Sequence, residues 1–303
     1  MRIFDYAMVG EWGSRLQVLA DRAERERWTF RCVPDASPFP VLDSYIRYTF
    51  LQVHEQAKIA ESDRLSCFNT GLLTANQEEI FGVFRVSDLF DPREPVGPGN
   101  KKWFLTSWAR AGDRQLTDFL RLPDLATYWS DAAELVFSPN LQVQLNLDHI
   151  IRDDFNRFPT ELGGHLDVNG VPTDLATSPD IESEAGEPAG EETPAAAGPD
   201  ITVPLATRNA LEGAMKHSVR LAQRSYRIAV PQYHRGRIQL LLPLYLRTAD
   251  RPDLALTLER HGAWYRAATV LYPDWAYRHA RLLSRPNSEW LGGFRADLLE
   301  EAG

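Results

Sequence analysis

The segment 228–246 constrains the fold of this 303-residue chain more than any other. It reads as two β-strands joined by a turn at 234–237, where Gly236 supplies the positive φ that a short hairpin turn requires. The second strand, 238–246, is apolar on both faces, which is typical of a strand buried on both sides. Because Pro243 has no N–H, we expect a bulge or an unpaired side there. The segment therefore predicts a buried antiparallel hairpin.

Hydrophobic periodicity predicts the elements around this hairpin. Helices are expected at 15–28, 41–62, 124–133, 205–226 and 274–284, and strands at 67–74, 80–86, 102–108, 141–147, 254–259 and 264–271. Gly71 lies inside the first of these strands, where a glycine often marks a bulge or the close approach of a ligand. The pattern predicts an α+β fold in which antiparallel β-hairpins form a curved sheet with helices packed on one side.

One stretch of the chain, 161–202, does not fit this pattern. It is rich in Gly, Pro, Ala, Glu and Ser, so it cannot bury enough apolar area to offset its ordering entropy, and we predict a disordered insertion. On this interpretation 1–160 and 203–303 are the two halves of a single domain. Ten acids and no Lys or Arg lie in 161–200, so the net charge of −9 becomes about +1 for the remainder. The negative total therefore does not exclude an anionic partner.

Several functional classes lose support because their motifs are missing. The sequence has no Gly-x-Ser-x-Gly, Walker loop, dinucleotide fingerprint or paired CxxC, and it predicts neither a cofactor nor a metal site. No apolar run is long enough for a signal peptide or a membrane-spanning helix. We therefore expect a soluble, cytoplasmic protein.

The strongest functional signal is basic. Between Lys216 and Arg237 there are six Lys or Arg, two His and no acid. Arginine forks match phosphate oxygens and aromatic faces stack on bases, so the first hypothesis is an RNA- or nucleotide-binding protein with a basic phosphate-binding cleft. The expected ligand-binding residues are Asn69, Thr70, Arg157, Arg220, Arg224, Arg227, Gln232, Tyr233, Arg235, Arg237, Gln239 and Arg281, with Gln232 and Tyr233 nearest the base. The alternative is a solvated helix face balanced by the acidic insertion, and an acidic arm resting on the basic face would satisfy both interpretations.

The second hypothesis is a hydrolase or transferase acting on a nucleotide or phosphoester. His149 would be the general base, assisted by Glu55, Lys58 or Asp154, because one polar residue per turn of the 41–62 helix would then edge a cleft. The plainer interpretations are a hydrogen-bonded structural histidine and a surface pair of Glu55 with Lys58. A third possibility is a structural or partner-binding domain.

A set of short motifs also resembles a known family. The motifs are Tyr-Ile-x-Tyr-Thr-Phe at 45–50, Glu55 with Lys58-Ile59, Phe-Asn-Thr-Gly-Leu at 68–72, Asn-Arg-Phe-Pro at 156–159, Val-Pro-Gln at 230–232, Ile-Gln-Leu-Leu-Leu-Pro-Leu at 238–244 and Ala-Arg-Leu at 280–282. In this order they resemble the uncharacterised bacterial domain family DUF3825, whose members can occur beside OST-HTH-type RNA-binding modules. The resemblance covers most of the chain outside 161–200. It implies association with RNA or nucleotides by analogy and assigns no chemistry.

Overall fold

The computed structural model describes residues 1–31, 37–167, 205–287 and 289–292. The chain forms two compact units. Unit 1 comprises Met1–Phe30 with Asp35–Tyr128, and unit 2 comprises Arg31–Pro34 with Trp129–Gly303. In the described residues each unit contains a five-stranded mixed sheet. The α+β class is therefore confirmed, and the strands are distributed over two sheets.

Unit 1 is built on a sheet of strand order β1-β5-β4-β3-β2. Its strands are β1 (Ala7–Met8), β2 (Ala60–Glu61), β3 (Leu65–Leu73), β4 (Glu79–Val86) and β5 (Trp103–Arg110), and its helices are α1 (Ile3–Tyr6), α2 (Trp12–Arg22) and α3 (Pro40–Glu55). Strand β1 pairs with β5 in parallel, and the other pairs are antiparallel. Pro40 at the first turn of α3 suits a helix start, where its missing N–H costs nothing.

The core of unit 1 is an aromatic cluster between α3 and the sheet. The Phe50 ring of α3 lies edge-on to the Phe68 ring of β3, with centroids 5.1 Å apart. The Phe68 ring also stacks on Phe84, with centroids 5.8 Å apart, and lies over Gly82, its partner in β4. A Cβ added to Gly82 would come within 2.2 Å of the Phe68 ring. The glycine is thus required by the close approach of this ring.

Unit 2 has a sheet of strand order β6-β10-β9-β8-β7. Its strands are β6 (Gln142–Leu145), β7 (Val230–His234), β8 (Arg237–Leu244), β9 (Leu254–His261) and β10 (Trp264–Leu271), and its helices are α4 (Leu147–Asp154), α5 (Leu205–Arg224), α6 (Pro273–Arg281) and α7 (Glu289–Gly292). Strand β6 pairs with β10 in parallel, and the other pairs are antiparallel. Helix α5 packs on β8, where the Ser218 hydroxyl donates to the Pro243 carbonyl.

The hairpin expected at 228–246 is formed by β7 and β8. A two-residue loop joins the strands, with φ of 46° at Arg235 and 81° at Gly236, as a tight hairpin turn requires. Pairing with β7 ends where Val230 meets Leu241, so Pro243 pairs only with Ala255 of β9. The missing N–H of Pro243 therefore lies on the unpaired side, as predicted.

The two units share one plan. In each, a short first strand is followed by a connection whose described part carries two helices, and then by four antiparallel strands, the last of which pairs with the first strand in parallel. Registers also match. Val83 of β4 pairs with Cys67 of β3 in unit 1, and Thr257 of β9 pairs with Leu241 of β8 in unit 2. In both units the last strand has one extra, bulged residue, which lies between the partners of Val83 and Phe84 in β5 and between the partners of Thr257 and Leu258 in β10. Cys67 and Leu241 in turn pair with Ala60 and Val230. The chain thus contains a structural repeat that the sequence did not reveal.

Several boundaries differ from the sequence prediction. The helix predicted at 41–62 ends at Glu55 and is followed by strand β2, and the helix predicted at 15–28 ends at Arg22. Residues 161–167 do not belong to an unstructured insertion, because Thr160–Leu162 forms a 3-10 turn, and Leu166 is buried and bridges to Pro159. The rest of the predicted insertion, 168–202, lies outside the described residues.

The helix predicted at 124–133 is wrong. That stretch is extended up to a 3-10 turn at Ala132–Leu135, since side chains of α3 and Lys58 hold its backbone.

We predict that Gly82→Ala lowers the free energy of unfolding by about 1–3 kcal/mol, because the new methyl group must displace the Phe68 ring from a filled core. Urea unfolding of the full chain measures this loss. Gly213→Ala is the matched control. Gly213 lies in α5 with nothing within 4 Å of the position of a Cβ, so this change should stabilise the helix by about 0.5–1 kcal/mol. An equal effect at both sites would contradict the packing described here.

Candidate functional site

In unit 1 the predicted polar stripe on α3 binds the chain itself. The Lys58 ammonium donates to the Leu125 carbonyl and to the Thr127 hydroxyl, both at 2.7 Å. Gln52 donates to the Thr127 carbonyl at 3.1 Å, and the Gln56 side chain accepts from the Thr127 N–H at 3.0 Å. The exposed Glu55 is not part of this set. The edge of the expected cleft is therefore covered by 125–127.

Asn69 and Thr70 shape a bulge in β3. The register of β3 with β4 shifts between Asn69 and Leu73, and Gly71 has a φ of 73°. The Asn69 side chain accepts from the Gly71 N–H at 2.9 Å and donates to Glu79 at 3.0 Å. The Thr70 hydroxyl donates to the Ile80 carbonyl at 2.6 Å. Both side chains are buried, so in this structure they hold the strand in its bulged form.

In unit 2 the predicted phosphate-binding residues Arg220 and Arg224 of α5 form an exposed row with Lys216, and we call these three residues the basic ridge. Their spacing of four residues places the charges about 6 Å apart along one helix face. Lys216 lies 3.7 Å from Glu212, whereas Arg220 and Arg224 form no ion pair in the part of the chain that the structure describes. The ridge is therefore positive and open to solvent.

An exposed aromatic side chain follows the basic ridge. Tyr226 comes two residues after the end of α5 and is 77% exposed. The guanidinium carbon of Arg227 lies 5.9 Å from the centre of its ring. Arginine beside an exposed aromatic ring is the combination that proteins use to hold a phosphate and stack a base.

The hairpin residues separate into two environments. Arg235 and Arg237 are exposed at the loop, and Arg237 lies 2.6 Å from Glu259. Gln232 and Tyr233, both expected beside a base, are neighbours in β7 and so point to opposite faces of the sheet. Gln232 is buried and donates to Gln239 of β8 at 2.8 Å. One ligand therefore cannot contact both side chains on the same face.

Gln232 belongs to a set of polar residues, which we call the polar layer: Gln232, Gln239 and Thr257 from the sheet with Arg278 and His279 from α6. All but the half-buried Gln239 are buried. The β-register places the three sheet residues on one face. Helix α6 covers this face, because the His279 ring lies 5.5 Å from the ring of His234, two residues beyond Gln232 in β7. Arg278 and His279 are buried, and their side chains approach to 3.4 Å. Arg281, which the sequence singled out, is also buried in α6.

The predicted catalytic residues of unit 2 have two different roles. His149 Nδ1 lies 2.7 Å from Asp153 Oδ2, one turn along α4. Asp154 instead accepts from the Val270 N–H at 2.8 Å and forms an ion pair with Arg157 at 2.7 Å. Arg157 also donates to the Val270 carbonyl at 2.6 Å and lies over the Trp275 ring. Asp154 and Arg157 therefore clamp the end of β10.

The structure brings together some of the predicted site residues of unit 2, and it assigns others to unit 1. Within unit 2, Gln232 and Gln239 bond to one another, and Arg220 and Arg224 share a helix face. Asn69, Thr70, Glu55 and Lys58 belong to unit 1. Sequence reasoning missed Thr257, because Leu-Ala-Leu-Thr-Leu reads as an ordinary β-strand and only the register shows which face the threonine occupies.

Two further properties concern the described residues. No three His, Cys, Asp or Glu side chains among them are arranged so that they could hold a metal ion. None of their helices has both the length and the apolar character that crossing a membrane demands.

We predict that the contribution of Asp154 to the free energy of unfolding falls as the pH rises above 3.8, the ordinary pKa of an aspartate. Burial raises the pKa of Asp154 above 3.8, although Arg157 and the Val270 N–H act in the opposite direction. The folded protein then binds this proton more tightly than the unfolded chain, so the free energy of unfolding decreases with pH between the two pKa values. In urea unfolding at a series of pH values, the stability of wild type relative to Asp154→Asn should fall as the pH rises. A relative stability that rises over this range would contradict the prediction.

Comparison with known proteins places the chain in a family. The family model described as a domain of unknown function, DUF3825, matches residues 19–290. The searches of curated proteins and of solved structures gave no match. The matched range takes in nearly all of the sheets of both units, together with α3, α5 and α6. The chain therefore belongs to the DUF3825 family.

Proposed function

We propose that this protein binds RNA or a nucleotide, and that the basic ridge on unit 2 contacts the phosphates. The observation that carries the proposal is the exposure of Arg220 and Arg224 on one helix face, with no ion pair among the described residues. A basic helix face that served only solubility would gain from alternating acids, as Lys216 does from Glu212. Tyr226 and Arg227 add a stacking surface at the end of the ridge.

The geometry favours a flexible single strand over a duplex. The basic ridge is one convex helix face, and Tyr226 offers its ring next to it. Bases of a single strand can turn onto such a ring while their phosphates follow the row of charges, whereas the bases of a duplex are already stacked. Since every base has a π-face, we expect weak dependence on sequence and strong dependence on salt.

We predict that Arg224→Ala weakens binding of a fluorescein-labelled oligouridylate and lowers the slope of log K against log salt by about 1, because one phosphate contact is lost. Fluorescence anisotropy across a salt series measures both quantities. Arg121→Ala is the matched control, since this arginine of unit 1 has a side chain that is 80% exposed and its removal changes the net charge equally. Salt-independent binding, or an equal loss in both variants, would refute the assignment of the ridge.

A second candidate function, a hydrolase or transferase acting on a nucleotide or phosphoester, is supported by the His149–Asp153 pair. A carboxylate bonded to Nδ1 holds the imidazole in the tautomer whose Nε2 can accept a proton, which is how histidine bases are oriented in many enzymes. Of the predicted assisting residues, Asp154 forms its ion pair with Arg157, and Glu55 and Lys58 belong to unit 1. The carboxylate beside His149 is that of Asp153, which was not among the predicted catalytic residues.

If the protein turns over a nucleotide, we expect His149→Ala to reduce the rate by about 10²–10⁴-fold, and Asp153→Asn to reduce it less, because the base is lost in the first variant and only misoriented in the second. Product formation from a panel of nucleoside mono-, di- and triphosphates and dinucleotides tests this. Unchanged turnover in His149→Ala would exclude this histidine as the base.

A further inference from the structure

The basic ridge is bounded at both ends. Residues four apart follow one line along α5, and this line contains Glu212 one turn before Lys216. The Glu212 carboxylate lies 3.7 Å from the Lys216 ammonium, and the glutamate side chain is 40% exposed. At the other end the helix stops at Arg224. The ridge is therefore a row of three cations between a carboxylate and a helix end.

The spacing of the three cations matches a phosphodiester strand. Four residues of an α-helix rise about 6 Å, so the ridge is about 12 Å long. In a single strand one sugar separates successive phosphates, and their spacing is close to one such step, so each cation can contact a phosphate of its own. The phosphates of a nucleoside triphosphate share bridging oxygens and lie much closer together. To contact them, all three side chains would have to converge against the repulsion of their own charges.

Glu212 limits the number of phosphates that the ridge can bind. A strand that continued past Lys216 would place its next phosphate beside this carboxylate, and like charges at such a separation repel one another. The next cation on the line is Arg208, two turns from Lys216. The geometry thus provides for three phosphates, and three phosphates join four nucleotides.

Tyr226 gives the bound strand a base contact at the end of the helix. It follows Arg224 by two residues and is 77% exposed. A nucleotide whose phosphate is bound by Arg224 can therefore place its base on this ring, whichever base it carries. An anionic chain without bases, such as an acidic peptide, gains nothing from the ring. Tyr226 thus favours nucleic acid over other polyanions.

We propose that the ligand of the basic ridge is a single-stranded segment of four nucleotides. Its three phosphates lie one at each of Lys216, Arg220 and Arg224, and the base next to Arg224 stacks on Tyr226. This inference rests on the proposed function and narrows its ligand class. An oligonucleotide strand binds the ridge, and mononucleotides and nucleoside triphosphates do not fill it.

The dependence of binding on strand length and salt tests the proposal. Unlabelled oligouridylates without terminal phosphates, from the dinucleotide to the octanucleotide, compete with fluorescein-labelled octauridylate for the full chain in an anisotropy assay. The slope of log K against log salt should be about −0.7 for the dinucleotide, because one phosphate is bound, and about −2 for the tetranucleotide, and it should then stay constant. A slope that keeps steepening to the octanucleotide would overturn the three-phosphate site and leave RNA binding intact. If no strand binds, the proposed function fails as well.

Variants at the N-terminal end of the ridge locate its boundary. Lys216→Ala removes the last cation, so the slope should stop steepening at the trinucleotide, at about −1.4. Arg208→Ala is the matched control, since it removes the same charge from an exposed position of α5 beyond Glu212 and should leave the tetranucleotide slope unchanged. Equal changes in the two variants would contradict the boundary.

Glu212→Gln removes the carboxylate that ends the ridge. We expect the slope to continue to steepen beyond the tetranucleotide in this variant, since a longer strand then reaches Arg208 without passing a negative charge. A slope that still stays constant from the tetranucleotide onwards would refute the role assigned to Glu212.

Three further measurements define the ligand class. UTP should bind at least about tenfold more weakly than tetrauridylate, because it contacts fewer of the cations. Hexaglutamate should also bind more weakly, and Tyr226→Ala should weaken tetrauridylate binding at least about fivefold with the salt slope unchanged, since only stacking is lost. Equal affinity for UTP would make the ridge a nucleoside triphosphate site, and equal affinity for hexaglutamate would make it a general anion surface. Either result overturns the proposal.

Discussion

The structure of each unit depends on one pairing, that of a short first strand in parallel with the last strand of an antiparallel meander. The first strand of each unit and the first strand of its meander lie at opposite edges of the sheet, so the chain must cross the sheet between them before the meander leads back. The crossover contains α2 and α3 in unit 1, and α4 and α5 in unit 2. Strand β1 has only two residues and β6 only four, yet these pairings complete both sheets.

The repeat gives meaning to the differences between the units. Both have the same register and the same bulge, and the side chains differ at two matched positions, where Leu65 and Val83 of unit 1 correspond to Gln239 and Thr257 of unit 2. Unit 1 fills its matched face with Cys67, Phe81 and Val83. Unit 2 has the buried Gln232 bonded to the half-buried Gln239 and a buried threonine there, and its basic ridge is exposed on α5. These differences are why we assign ligand binding to unit 2.

The sequence could predict elements whose signals are local. The turn glycine Gly236, the proline at 243 and the alternation of Gln142, Gln144 and Asn146 indicated the β7–β8 hairpin and strand β6 correctly. The two parallel pairings could not be predicted, because β1 is too short for any periodicity and the partner of β6 lies more than 100 residues away. The helix expected at 124–133 was wrong because Lys58 and α3 hold that stretch extended, an effect of tertiary contacts that local propensity does not contain.

The candidate site was predictable only in part, for similar reasons. The spacing of Arg220 and Arg224 placed them on one face of a helix, and the helix exists. The division of the hairpin residues depends on the sheet. Alternation along β7 separates Gln232 from Tyr233, and register alone puts Thr257 on the face of Gln232. The burial of Arg278 and His279 was hidden, since α6 is short and lacks the apolar stripe that marks a buried helix.

The central claim is that unit 2 is the ligand-binding unit. Hydrogen–deuterium exchange of the full chain, alone and with oligouridylate, tests it most directly. The account predicts that oligouridylate slows exchange at the C-terminal turns of α5 and at 225–228, with unit 1 unchanged. Protection concentrated in α3 and β3 of unit 1, or no protection by oligouridylate, would contradict it.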